Sequence, residues 1–261
     1  MDIGISSSCF YPSLTEDSFK KACAIGSQTT EIFFNCADEL KKPIISDIKR
    51  IKEEYKVPVR TIHPYTSFAE PFMLFGGYER RCNEGIEFYK RYFEAAAYLD
   101  AEAVVIHGGS PVDSSDEEAY FEAFAKLCEE GKKFGVLPAH ENVYKRAGSN
   151  LLFLKNLKSF LGNDFRVVLD IKQCRRSEVD EFEFIRLFSK DIIQLHISDY
   201  DSEKDCIPPG EGKYDFKKLF DALKSSGYDK SAIIELYQWS YSDEKQIEEA
   251  LGFLKNISCV Y

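Results

Sequence analysis

The sequence predicts an α/β protein built as a single-domain (β/α)8 barrel spanning residues 1–261. Three observations lead there. Short apolar or β-branched runs alternate from end to end with longer amphipathic segments, the runs number eight, and each is followed by a helical pattern. Alternation of this kind feeds parallel strands through right-handed crossovers. A chain of 261 residues matches the roughly 250 residues of an eightfold barrel. An open doubly wound sheet is the competing closure, but no GxGxxG turn follows the first run. No Pro-, Gly- or Ser-rich linker divides the chain.

The runs and their helices follow in order. Residues 3–8 precede a helical pattern at 16–24, and residues 30–34 precede one at 45–55. The third run, 57–62, opens onto a long connection from Pro64 to Gly77 before the helix at 78–99. The fourth, 103–106, leads to a helix at 116–134, with Ser115 ahead of the acidic Asp116-Glu117-Glu118 and Gly135 after Lys132-Lys133-Phe134. Acidic starts and basic ends complement the helix dipole. Runs at 136–139 and 166–169 precede helices at 151–161 and 179–189. The seventh, 192–195, is followed by a second long connection from Asp199 to Asp215 and a helix at 216–226. The eighth, 232–236, precedes a final helix at 243–254, introduced by Ser242. Long loops after barrel strands are where substrates are held and covered.

Composition narrows the function. With 34 Lys+Arg against 44 Asp+Glu the chain carries a net charge of −10, which repels phosphate backbones and makes nucleic acid an unexpected partner. No apolar run approaches the roughly 20 residues needed to span a bilayer. The N-terminus shows no basic stretch leading into an apolar core. The eight cysteines are dispersed without a CxxC pair, so they read as free thiols. A cytoplasmic location and a small-molecule substrate are expected, and a homo-oligomer is compatible with all of this.

In a barrel, polar residues at the C-terminal ends of strands converge on one mouth. All four histidines are placed there: His63 closes VRTIH, His107 closes VVIH, His140 closes LPAH and His196 closes IIQLH. Glu141, Asp170 and Glu235 occupy equivalent positions. Glu141, Asp170, His196 and Glu235 come from runs five to eight, adjacent staves of one side, and form the candidate metal set. Three carboxylates and one imidazole suit one divalent ion, Mn, Co or Mg, with Zn possible. Carboxylates among Val, Leu and Ile are costly to bury alone, so they imply a shared cation; the alternative to a metal is Lys145, Arg146 or Lys172. His140, preceding Glu141 in a strand, points to the opposite face. Aromatic residues in the mouth loops, namely Phe10, Tyr11, Tyr65, Phe68, Phe72, Phe75, Trp239 and Tyr241, suit the C–H faces of a sugar. Lys145 and Arg146 are candidate partners for a substrate phosphate or carboxylate.

At these residues the chain resembles the xylose isomerase-like TIM-barrel superfamily, specifically its sugar-phosphate isomerase/epimerase group, which is related to the apurinic-site endonucleases. The segments carrying the resemblance are TIHPY, VVIHGG, AHENV, VVLDIKQ, IIQLHISDY, PPGEGKYDF and AIIELY. The resemblance implies that Glu141, Asp170, His196 and Glu235 hold the metal and that Glu141 and Glu235 are the catalytic acid/base pair. It implies a divalent-metal-dependent isomerase or epimerase acting on a monosaccharide, polyol or sugar phosphate through a metal-stabilised enediolate. Pro209-Gly210-Glu211-Gly212 matches the family's glycine-bearing segment. One departure is Gln173, where the family places a histidine; glutamine hydrogen-bonds a hydroxyl but is no general base. His63, His107 and Gln173 are then candidates for binding substrate hydroxyls, or the two histidines complete a second metal site with Glu141. That second option is the arrangement of a zinc-dependent phosphodiester hydrolase, whose third metal set is incomplete here. A sugar-binding barrel without turnover is the non-enzymatic alternative.

Overall fold

Strand β1 (Asp2–Ser6) lies parallel to β8 (Ser231–Ile234), with Asp2 opposite Ser231 and Ile5 opposite Ile234, and this seam closes the sheet. The structure, a computed structural model, describes residues 1–113 and 117–259. Between the seam strands run β2 (Thr30–Phe33), β3 (Val59–His63), β4 (Ala103–Ile106), β5 (Leu137–Glu141), β6 (Val167–Asp170) and β7 (Ile192–Ile197). Each is hydrogen-bonded to the next in a closed parallel barrel, so the chain is a (β/α)8 barrel. Helices α1 (Thr15–Ala24), α2 (Ile44–Tyr55), α3 (Glu70–Met73), α4 (Glu79–Tyr98) and α5 (Glu117–Lys132) cover the first half. Helices α6 (Leu151–Leu161), α7 (Ile171–Arg176), α8 (Glu181–Phe188), α9 (Phe216–Ser225) and α10 (Glu244–Cys259) cover the second. Among the described residues no helix is long and apolar enough to cross a membrane.

Strands β3, β5, β6 and β7 extend further than the apolar runs predict, ending at His63, Glu141, Asp170 and Ile197. The backbone ladder continues beneath polar side chains, which an apolar-run criterion discards. Ser115 and Asp116, read as the start of a helix, lie outside the described residues. Two short helices escape the sequence pattern, α3 within the Pro64–Gly77 connection and α7 directly after β6. Helix α7 begins where it does because the Asp170 carboxylate accepts from the Gln173 N–H at 3.1 Å. Asn150, Asp180 and Asp215 cap α6, α8 and α9 in the same way.

Side-chain alternation divides the strands. Ile3, Ile5, Ile32, Ile62, Val104, Ile106, Leu169, Leu195, Ala232 and Ile234 belong to the core shared with the helices, each large side chain contributing about 1.5–3 kcal/mol on burial. Ala103, Val105, Ala139, Val168 and Ile193 form a separate small cluster, the apolar floor of the barrel interior. Two residues further along these strands the inward positions turn polar, at His107, Glu141 and Asp170. This change of lining positions the site.

Candidate active site

Strand β7 supplies His196, whose Nε2 lies 2.9 Å from Glu31 Oε2 and 3.0 Å from Gln194 Nε2. Its Nδ1 faces the mouth, 3.5 Å from Glu141 Oε1 and 3.5 Å from Glu235 Oε2. Ligand atoms of Glu141, Asp170, His196 and Glu235 all lie within 4.8 Å of one another. Glu141 Oε2, Asp170 Oδ2 and His196 Nδ1 are buried without a hydrogen-bond partner. Two of them still have a close basic neighbour, Glu141 Oε2 with His107 Nε2 at 3.1 Å and Asp170 Oδ2 with Lys172 Nζ at 3.1 Å. The donor set fits a divalent ion: one cation shared by the carboxylates and the imidazole would satisfy all three atoms.

The centre is crowded with negative charge, and its protons respond. Burial works against a charge on His196, yet Glu31, Glu235 and Glu141 hold its pKa well above the ordinary imidazole value. Burial also opposes the charge of Glu31, but His196 and His63 bring it down to about 2. Glu141, equally buried, is held well below the usual range by His107, His196 and His63. Asp170 is raised, because burial and the charges of Glu141 and Glu235 outweigh the nearby Lys172 and His196. Lys172 is buried, with Nζ 3.1 Å from Asp170 Oδ2 and 3.3 Å from Glu235 Oε2. Despite burial, those two carboxylates keep its ammonium charged, well above the usual lysine pKa.

A second group stands on β3–β5. His63 and His107 approach through their Nε2 atoms at 3.0 Å, and His107 Nε2 lies 3.1 Å from Glu141 Oε2. These three residues also bring ligand atoms within 4.8 Å of each other. Behind them, Gly108 takes φ +81°, and a Cβ there would lie 2.2 Å from the Tyr120 hydroxyl, so only glycine makes this turn. The Gly108 N–H donates to Glu70 Oε2 at 2.6 Å, and the Tyr89 hydroxyl donates to Glu70 Oε1 at 2.6 Å. Burial pushes the Glu70 carboxyl up to about 7. His140 lies on the other face of β5, 2.7 Å from the Tyr120 hydroxyl, with burial lowering its pKa to about 4.

A cavity of about 340 Å³ opens above the centre, lined by Ser8, Tyr11, Phe33, Asn35, His63, His107, Glu141, Lys172, Gln173, Glu235 and residues 236–239. Trp239 stacks on Tyr237 at 4.9 Å with its ring largely exposed, and Tyr11 is also exposed on the cavity wall. Of the predicted substrate contacts, His63, His107, Gln173 and Trp239 therefore line the cavity. Phe10 instead is buried in the core. Lys145 and Arg146 stay on the loop after β5, outside the lining, with the Lys145 ammonium over the Tyr144 ring. Phe75 stacks on Tyr120, Tyr65 packs edge-on against Phe88 and Tyr92, and Tyr241 donates to the Cys9 carbonyl. Phe68 and Phe72 are exposed on the connection after β3.

Sequence reasoning passed over two residues. Glu31, fully buried on β2, accepts from Ser6, Thr61 and Gln194 as well as facing His196. Its signal was available, a lone carboxylate inside the apolar run TTEIFF. Asn142 accepts from the Asp170 N–H at 2.7 Å and donates to the Asp170 carbonyl at 3.0 Å, fixing the end of β6 from β5. Gln173 is constrained too, accepting from the Tyr144 N–H at 3.0 Å. The Pro-Gly-Glu-Gly segment folds around Asp199, whose carboxylate accepts from the N–H groups of Tyr200, Gly210, Gly212 and Tyr214. A Cβ on Gly212 would lie 2.3 Å from Asp199 Oδ1, which explains the glycine there.

Carboxylates and imidazoles gathered at the strand ends of a closed barrel form a cluster that could hold a metal ion. The chain belongs to the xylose isomerase-like TIM barrel family, whose model matches residues 19–257. No sequence among the curated proteins matches it. Among solved structures it is similar to a 3-keto-D-glucoside 4-epimerase from E. coli, with 18% identity, coverage of 98% of this chain and 99% of the other, and a TM-score of 0.80. It is similar to a D-psicose 3-epimerase from Clostridium cellulolyticum H10, at 17% identity, 99% coverage of both chains and a TM-score of 0.80. A family 2 AP endonuclease from Brucella melitensis is also similar, at 17% identity, with 98% of this chain and 99% of the other covered and a TM-score of 0.77.

Proposed function

We propose that the protein is a divalent-metal-dependent sugar isomerase or epimerase. The observation that carries this reading is the convergence of Glu141, Asp170, His196 and Glu235 with three unsatisfied buried atoms beneath a substrate-sized cavity. Similarity to the two sugar epimerases supports it. A divalent ion held by these four residues would polarise adjacent carbonyl and hydroxyl oxygens and acidify the C–H between them. One of Glu141 and Glu235, as a carboxylate, takes that proton, and the other, as a carboxylic acid, delivers a proton of its own. Delivery to the opposite face of the same carbon inverts it; delivery to the neighbouring carbon, with a hydroxyl proton passing between the two oxygens, exchanges aldose and ketose. His63, His107 and Gln173 offer hydrogen bonds to the remaining hydroxyls, and Trp239 and Tyr11 offer faces to C–H groups. The substrate is a monosaccharide, polyol or sugar phosphate. A cytoplasmic setting suits the free thiols, six of them buried and Cys36 exposed among the described residues.

A second reading, zinc-dependent phosphodiester hydrolysis, is favoured by the His63, His107 and Glu141 group, which would take a further ion. One experiment separates the two. Protein purified without chelator or affinity metal is assayed for metal content beside Glu235→Ala, then incubated with ketoses in deuterated water. About one equivalent of Mn, Co or Mg lost in the variant, with solvent deuterium entering carbon, is the expected result. Two or more equivalents of zinc without exchange would favour hydrolysis, and sugar binding without exchange would mark a non-catalytic barrel.

A further inference from the structure

The ammonium of Lys172 occupies the carboxylates that the metal reading assigns to the ion. It lies within 3.3 Å of both Asp170 and Glu235, and it is held over the Tyr237 ring at 4.8 Å. Asp170 Oδ2 lies 3.1 Å from this ammonium yet has no hydrogen bond, so the contact is coulombic and the oxygen remains open to a harder cation. Lys172 is also tethered. It lies two residues after Asp170, in a helix that the Asp170 side chain itself caps, so its stem cannot leave the centre. It lines the cavity as well.

We propose that Lys172 is an internal competitor for the divalent ion: its ammonium neutralises Asp170 and Glu235 in the metal-free protein and must be displaced from them for the ion to bind. This rests on the metal reading above. A dication brings more charge and accepts several oxygens at once, whereas the ammonium is a single positive charge with three donors. The exchange therefore keeps metal affinity below what the four ligands alone would give, and it spares the metal-free barrel the cost of adjacent uncompensated carboxylates.

The test compares wild type, Lys172→Met and Lys172→Gln, by manganese titration with free Mn(II) read by electron paramagnetic resonance, and by thermal unfolding with manganese or with chelator. The neutral variants are expected to bind Mn(II) about tenfold more tightly or better. Their melting temperature should fall in chelator and recover with manganese, a wider gap than in wild type. Unchanged or weaker affinity in either folded variant would overturn the proposal, as would equal destabilisation with and without manganese. If wild type binds manganese, Glu235→Ala does not, and Lys172→Met matches wild type, only this inference fails. If neither wild type nor the Lys172 variants take up manganese, the metal reading fails with it. The glutamine variant, which keeps a hydrogen-bond donor beside Asp170, serves if methionine does not fold.

Discussion

On the β3–β5 side of the mouth, Glu141 is surrounded by imidazoles, with His107 at 3.1 Å, His196 at 3.5 Å and His63 at 3.8 Å. On the β6–β8 side, Asp170 and Glu235 share the Lys172 ammonium, and Glu235 also faces His196 Nδ1 at 3.5 Å. Both sides place carboxylates on inward strand ends, but they neutralise them differently. A neutral imidazole nitrogen can bind a metal directly. An ammonium this well paired keeps its proton and can only move aside. The histidine side therefore offers ring nitrogens around one carboxylate, whereas the lysine side sets two carboxylates against one ammonium. Glu141 is almost wholly buried, whereas the Glu235 side chain is 18% exposed to the cavity, so the two glutamates of the proposed proton transfer work in unlike surroundings.

The sharpest way to break this comparison is Glu141→Gln. It removes the carboxylate that joins both groups of ligands, and turnover should fall by about 10²–10⁴-fold with the fold retained. Deuterium incorporation into substrate, beside a circular dichroism spectrum, checks it; wild-type exchange would remove Glu141 from the chemistry. Next in size is Glu31→Gln, which acts on the lysine and histidine sides together through His196. Losing the carboxylate that orients the ring should weaken metal binding by about 10–100-fold, read by titration of the metal-free protein. An unchanged affinity would show that Gln194 alone sets the ring.

A smaller effect is expected from Glu70, beneath the histidine side. Its folded pKa near 7 exceeds the ordinary 4.5, so the native state binds this proton more tightly than the unfolded chain. The resulting stability is complete below about pH 4.5 and is lost as the pH rises through 7. The change across that window is on the order of 2–3 kcal/mol. Melting temperature should therefore decline less steeply from pH 5 to 7 in Glu70→Gln than in wild type, and parallel profiles would contradict this. The smallest effect belongs to the rim. Trp239→Ala should raise KM by a factor of a few and leave kcat nearly unchanged, because an exposed ring contributes about 1 kcal/mol of stacking; a large fall in kcat would bring Trp239 into the reaction itself.

The sequence by itself determined the eight alternating units, since period-two and helical patterns are local and survive without tertiary context. It also singled out Glu141, Asp170, His196 and Glu235 by their places at the ends of the apolar runs, whereas Glu31, inside the run TTEIFF, was passed over. The tertiary structure alone decided what those residues face. Glu31 and His196 stand 165 residues apart and meet because closure of the barrel sets β2 across from β7 at one level. The same closure left Phe10 in the core and kept Lys145 and Arg146 off the cavity wall. Lys172 was legible only as one of several possible counter-charges. Its selection depended on α7, a six-residue helix that begins where Asp170 caps it, too brief to leave a periodic signal and directed by a side chain that also belongs to the site.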